Sequence, residues 1–494
     1  MKDRKKIRIA VILSLITIAM ILIFFQYTRM QKNDLNDLTG TQELVDTNES
    51  ADTNDSTDTN DSSDTTDTND STDTNDSSDT TDTTDSSDTT DSSEVDIENY
   101  LIPSKEMNSL QPLKDKALNT LAIERLVLTP DTVTTQGVRL TFNLQEASES
   151  VTILVVNEAT ELVNIYEPTF EQVSIDSDET NKLNVYKATL NGLEAGMRYF
   201  YVVQVKDTYS ELYSFSTVKE DTSTTLALFG DAQGYAQKHY DQLKKTFEIA
   251  QKVSKSGDPI DISLLAGDIV DQGDAFNQWV FFDVAMKDYL GTSIFMSTLG
   301  NHDVASKATL YKNSFNYPKN GVTTLEELSY YIDLPYGRIA VWNTESVATF
   351  EEQGKWLIDI MQEVPDKFKL VLMHRSSYPM AYDEAYIRDL ARYFEKADID
   401  LVLSGHDHIY NRTTMLHDKK VDINKGVTYL VAGSPSGSKY YDEINETNRY
   451  WKHVIYDEND PVFTLMTISL DKISVKAYSI DDDEPTLIDS FLIE

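Results

Sequence analysis

The chain has 494 residues, with 43 Lys+Arg against 83 Asp+Glu, a formal net charge of −40 and no cysteine. At roughly 100–200 residues per domain this length allows two or three domains, and the charge repels a phosphate backbone, which excludes a dedicated nucleic-acid binder. Without cysteine there are no disulfides, thiolate zinc sites, iron–sulfur clusters or cysteine nucleophiles, and an exported body without disulfide staples favours a bacterial envelope.

The N-terminus is basic, with Lys2, Arg4, Lys5, Lys6 and Arg8 ahead of an uncharged run from Ile9 to Phe25. That run is longer than a signal-peptide core and reaches the lower limit for a spanning helix. The residues after it offer no small-x-small cleavage site. A transmembrane signal anchor over 9–26 is therefore expected, with a cleaved export signal as the alternative. The basic residues outnumber Arg29 and Lys32, so the positive-inside bias keeps the 1–8 tip cytoplasmic and exports the rest, to a bacterial surface. From Asp52 to Asp91 every third residue is Asp, separated only by Thr, Ser and Asn. Such a segment has nothing apolar to offset its ordering entropy, so 27–117 reads as a disordered acidic stalk, extended by its own repulsion. It lacks the glycine turn of a calcium loop.

Between about 118 and 220 short alternating runs recur, among them Val138–Phe142, Val151–Val155 and Tyr199–Val203. Runs of this kind separated by turns suggest a β-sandwich. The stretch from Leu193 to Tyr201 resembles the tyrosine corner of a fibronectin type III module, in which the Tyr199 hydroxyl would bond back to the backbone near Leu193. The domain is either a structural companion or an adhesive, substrate-shaping one.

After residue 221 the pattern becomes strand–helix alternation, an α/β (α+β) architecture. Five strand-like runs, at 226–229, 262–265, 294–296, 370–373 and 401–403, each end in a polar cluster. The clusters are Gly230-Asp231-Ala232-Gln233, Gly267-Asp268-Ile269-Val270-Asp271, Gly300-Asn301-His302-Asp303, His374 alone, and Gly405-His406-Asp407-His408. Ligands gather beyond the carboxyl ends of strands in such sheets. Singly, each residue has an ordinary reading as a turn former, helix cap or core histidine; the ordered set of five points to one metal site. Oxygen and imidazole donors without sulfur suit Fe, Mn or Zn. His239, His417 and His453 fall outside the pattern and read as surface or structural residues. Tyr235, Phe276, Trp279 and Tyr378 are candidate pocket walls, although Phe276 and Trp279 at helical spacing also read as core.

The order GD…GD…GNHD…H…GHDH resembles the calcineurin-like metallophosphoesterases. With a fibronectin-like domain in front and a Val371-Leu372-Met373-His374 run, it is most similar to the purple acid phosphatase branch. The resemblance implies a metallophosphoesterase β-sandwich flanked by helices over 221–494, with two metal ions. It implies Asp231 and His408 on the first metal, Asp268 bridging, and Asn301, His374 and His406 on the second. It implies His302 beside the leaving group, its ring oriented by Asp303, and Asp407 pointing away. Two positions depart from the branch. Its metal-binding tyrosine is here Asp271, and its GDxG glycine is Gln233, which is either an amide-oxygen ligand of the first metal or a hydrogen bonder beside it. The expected activity is hydrolysis of small phosphate monoesters outside the membrane by attack of a metal-bound hydroxide. The alternatives are a phosphodiesterase or nucleotide pyrophosphatase, and a catalytically silent surface-binding protein.

Overall fold

A computed structural model describes Lys114 and residues 121–494, apart from 176–180, 256, 258, 423–424, 437, 442–450 and 457. These residues lie within one compact unit, Asp91–Glu494. The proposed anchor at 9–26 and the acidic tract at 52–91 lie outside the described residues. Among the described residues no helix is long and apolar enough to cross a membrane.

Two large sheets pack on each other. In the first, strands Thr224–Phe229, Ile262–Leu265 and Ile294–Ser297 run parallel, and the antiparallel strands Val462–Ile468, Ile473–Asp481 and Glu484–Ile493 extend it on one side. In the second, Gly337–Trp342, Phe368–Met373, Leu401–Ser404 and Thr428–Ala432 run parallel, in that order. These strands are near-continuous apolar runs because both faces are covered. The two-residue period sorts them: Ile339, Val341, Leu370, Leu372, Leu401 and Leu403 face the first sheet and share its core. Ala340, Trp342, Val371, Met373 and Val402 face outward. There they meet helices Phe350–Gln362 and Ala391–Lys396, with Phe394 edge-on to Trp342 at 5.6 Å between ring centres. Helix Gln237–Lys255 covers the outer face of the first sheet, its Phe247 packing on Phe229 and Phe295. The architecture is a β-sandwich flanked by helices, as the resemblance implied.

The 118–220 region forms two further layers. Val151–Asn157, Val163–Tyr166, Arg198–Val205, Thr208–Tyr209 and Tyr213–Ser216 make one sheet. Within it the Tyr199 hydroxyl accepts a 2.7 Å hydrogen bond from the Glu194 backbone, a tyrosine corner. The other layer, Glu124–Pro130, Val138–Leu144, Lys182–Leu190 and Thr169–Ser174, does not stand alone. Leu128 pairs in parallel with Ile294, so these four strands continue the first large sheet into a ten-stranded one. Side chains reinforce the joint. Arg125 pairs with the buried side of Asp283 at 2.7 Å, and the Asn316 amide donates to the carbonyls of Leu140 and Ala188 at 3.3 and 2.9 Å. Tyr201 donates to the Gly291 carbonyl at 2.6 Å.

Candidate metal centre

The five polar clusters follow the carboxyl ends of parallel strands from both large sheets, and they meet. His374 Nε2 lies 3.3 Å from Asp268 Oδ2, 3.0 Å from Asn301 Oδ1 and 3.2 Å from His406 Nδ1. Asp268, His374 and His406 each present a ligand atom within 4.8 Å of the others. His408 Nε2 stands 3.5 Å from Asp231 Oδ1, and the Asp231 carboxylate accepts the His406 backbone N–H at 2.8 Å. Asp231, Asp268, His374 and His408 are buried, while Asn301, His302 and His406 reach solvent.

The loops bend hard to achieve this. Asp268, His406 and His408 all adopt positive φ, of 47°, 70° and 52°. That left-handed conformation costs a non-glycine residue about 1 kcal/mol or more. It re-aims both imidazoles of the GHDH loop while Asp407 between them turns inward. The Asp407 carboxylate accepts backbone N–H groups of Ala381 and Tyr382 at 2.9 and 2.7 Å, tying that loop down. Gly300 is held close against Asp268, where an added Cβ would collide with the carboxylate and the backbone nitrogen.

Backbone carbonyls fix the rings. His374 Nδ1 donates to Ala266 at 2.9 Å and His408 Nδ1 donates to Lys439 at 3.0 Å, so each turns its Nε2 into the cluster. A carbonyl on the far nitrogen is the usual support for a metal-binding imidazole. Burial alone would depress the basicity of His374, but the Asp268 carboxylate outweighs it and raises the pKa to about 10. Burial, followed by the charges of His374 and Arg375, drives His406 down to about 2. Burial opposes ionisation of Asp268, yet the neighbouring His374 holds its carboxyl well below the usual range. The chain thus gathers an ionised carboxylate and three imidazoles in one buried place, a donor set that fits divalent or trivalent cations once the imidazoles give up their protons to the ion.

One expectation needs correction. Asp303 does not orient the His302 ring. Its oxygens accept the backbone N–H groups of Ile269, Val270 and Gly300 at 3.0, 3.2 and 3.0 Å, which locks the second and third loops together. His302 Nδ1 instead donates to the Asp271 carbonyl at 2.7 Å, leaving Nε2 toward solvent. Gln233 stands here as a hydrogen bonder, the second of its two readings. Its Oε1 accepts from Lys439 Nζ at 3.0 Å, and its amide nitrogen faces His408 Nε2 at 2.9 Å and Asp268 Oδ2 at 3.3 Å. Flipping the amide would set its NH2 against an ammonium, so Lys439 decides which way it points.

Sequence reading missed four neighbours. Lys439 also pairs with the Asp271 carboxylate at 2.6 Å. Arg375, clamped by Glu345 and Glu384 at 2.9 Å each, brings Nη1 to 3.3 Å from His406 Nε2. Tyr382 and Tyr441 wall the site, with ring centres 5.8 Å from His406 and 4.5 Å from His408. Of the aromatics singled out earlier, Trp279 and Tyr378 are core, and Tyr235 is exposed with its ring edge-on to His239. His239 lies outside the cluster.

Residues 224–410 match the family model of the calcineurin-like phosphoesterases. The chain superposes on the purple acid phosphatase PPD1 of yellow lupin (Lupinus luteus) with a TM-score of 0.64 at 16% identity, covering 76% of this chain and 75% of that one. It superposes on PhoD with a TM-score of 0.54 at 11% identity, covering 75% and 90%. No curated protein sequence matches it. The chain therefore carries a calcineurin-like metallophosphoesterase domain in a purple acid phosphatase-like fold. The class this domain defines is that of metal-dependent phosphoric ester hydrolases, a superfamily that generally uses a dinuclear metal centre.

Proposed function

We propose that this chain is a surface phosphatase, anchored through 9–26 with its body outside the cytoplasm, that hydrolyses small phosphate monoesters. The observation that carries the catalytic part is the meeting of Asp231, Asp268, Asn301, His374, His406 and His408 at the ends of five strands from two sheets. The anchor and location rest on the basic tip and the apolar run.

Asp231, His408 and Asp268 would hold one cation, and Asp268, Asn301, His374 and His406 the other. When bound, such a pair neutralises phosphoryl charge and brings the pKa of a coordinated water toward neutrality. The protein's own groups do the rest. The carbonyls of Ala266 and Lys439 keep His374 and His408 in the ligating tautomer. His302, with Nδ1 committed to Asp271 and Nε2 facing solvent, is placed to hold a proton for the departing alkoxide. Tyr382 and Tyr441 flank the two GHDH imidazoles on one side. A site that reaches solvent at His302 suits a small ester with a variable leaving group. The intact donor set argues against a silent binding protein.

The test is hydrolysis of a chromogenic phosphomonoester by the full chain, with and without a chelator, beside a matched diester and a nucleotide anhydride. Chelator-sensitive turnover with the monoester preferred supports the proposal; a diester or anhydride preference overturns the substrate class. Chelator-insensitive inactivity overturns the enzyme reading. Membrane fractionation and protease accessibility of the body in intact cells test the location.

A further inference from the structure

The two halves of the metal centre are unequally supplied. The position between Asn301, His374, His406 and Asp268 has four protein donors. The one between Asp231, His408 and Asp268 has three. Gln233, whose amide nitrogen is 2.9 Å from His408 Nε2, and Asp271, which stands where the similar branch has its metal-binding tyrosine, each give an oxygen to the Lys439 ammonium, at 3.0 and 2.6 Å. Lys439 is not a chance visitor. Its own carbonyl accepts the His408 Nδ1–H at 3.0 Å, so its backbone is fixed against the same histidine. Its hold on Gln233 turns that amide so that an N–H points at His408 Nε2, the atom a cation there would use. The ammonium also adds a positive charge next to the donor-poor position.

We propose that Lys439 keeps this position weak by withholding the oxygens of Asp271 and Gln233. The two metals then bind unequally: the ion at Asn301, His374 and His406 is retained, and the one at Asp231 and His408 exchanges. The inference rests on the metal-centre reading above, but its measurement is binding and not turnover. A chain that binds ions and hydrolyses nothing would sink the phosphatase reading and leave this one standing.

Full-chain protein stripped with a chelator is titrated calorimetrically with Mn2+ alone, and separately with Zn2+ alone, with bound metal counted by elemental analysis after dialysis. Two steps are expected, the second at least about tenfold weaker, the scale on which neighbours of metal ligands act. Lys439→Met should tighten the weak step by about tenfold, through the freed Asp271 carboxylate. Lys439→Met combined with Asp271→Asn should lose that gain, and Lys439→Arg, which keeps the cation, should stay unequal. Circular dichroism checks that each variant folds. Equal affinities in the natural chain overturn the proposal, as does a Lys439→Met variant with an unchanged ratio. Absence of any ion binding removes the metal centre and this inference with it. The titration of the natural chain decides alone should the variants not fold.

Discussion

Asp268 is the residue on which the centre turns. It is buried, its backbone is strained, and one of its oxygens accepts the His302 N–H at 2.8 Å while the other faces His374 and Gln233. Asp268→Ala should abolish chelator-sensitive hydrolysis, with an unchanged far-ultraviolet spectrum; near-native turnover in that variant would remove Asp268 from the centre. The position where the similar branch carries its metal-binding tyrosine is held by Asp271, whose carboxylate is engaged by Lys439. Iron-loaded protein should therefore lack an intense visible charge-transfer band, and a purple preparation would show that another phenolate reaches the metal. The residues at the strand ends were legible because each cluster follows an apolar run, four of them through a glycine and His374 directly. Lys439 and Arg375 were not, because a single basic residue in a loop carries no pattern. The part Asp271 plays toward His302 was beyond sequence reading for a different reason: it is made by a backbone carbonyl, which any residue would have supplied.

At the scale of elements, the loops matter more than the strands. Gly300 allows the third loop to lie on Asp268, and Asp303 pins that loop to the second. Gly300→Ala should displace the Asp268 carboxylate and cut turnover by at least about a hundredfold, the cost of a misplacement of roughly 1 Å at a reacting centre. A variant with unaltered kinetics would mean that the close approach is not needed. Directly after this loop, Ser306, Lys307 and Ala308 all take left-handed φ, of 50°, 60° and 56°. Lys307 is exposed, so Lys307→Gly should relieve strain and stabilise the protein by about 0.5–1 kcal/mol, read as a higher melting temperature. Nothing in the sequence announces this bend, since three consecutive left-handed residues run against the local propensity of Ser, Lys and Ala.

In the whole molecule, ion pairs stitch layers that share no strand. Arg412 and Tyr410, in strand Tyr410–Thr413 of the seven-stranded sheet, bind Asp489 in the last strand of the ten-stranded sheet at 2.6 and 2.9 Å. Burial raises the pKa of Asp489, but Arg412 outweighs it and holds the carboxyl below its usual range. A depressed carboxyl contributes stability that is complete above the unfolded value of about 3.9 and lost as pH falls through the folded one. Asp489→Asn should thus cost about 2 kcal/mol near neutrality, a charged hydrogen bond's worth. The difference from the natural chain should shrink below about pH 4; a difference independent of pH would mean that charge is not what matters. The alternation of strands and helices made the two-layer class legible. The union of the 118–220 region with the first large sheet was not, since Leu128 and Ile294 are far apart in sequence and apolar alternation does not name a strand's partner.

That union has a practical corollary. Cutting the chain at residue 221, where its periodicity changes, would strip Glu124–Pro130 from Ile294–Ser297 and bare a flat apolar strand edge, the kind that recruits other chains. It would also leave Asp283 buried without Arg125. An isolated 221–494 fragment should come off a sizing column as aggregate, whereas one beginning near residue 118 should run as a discrete species.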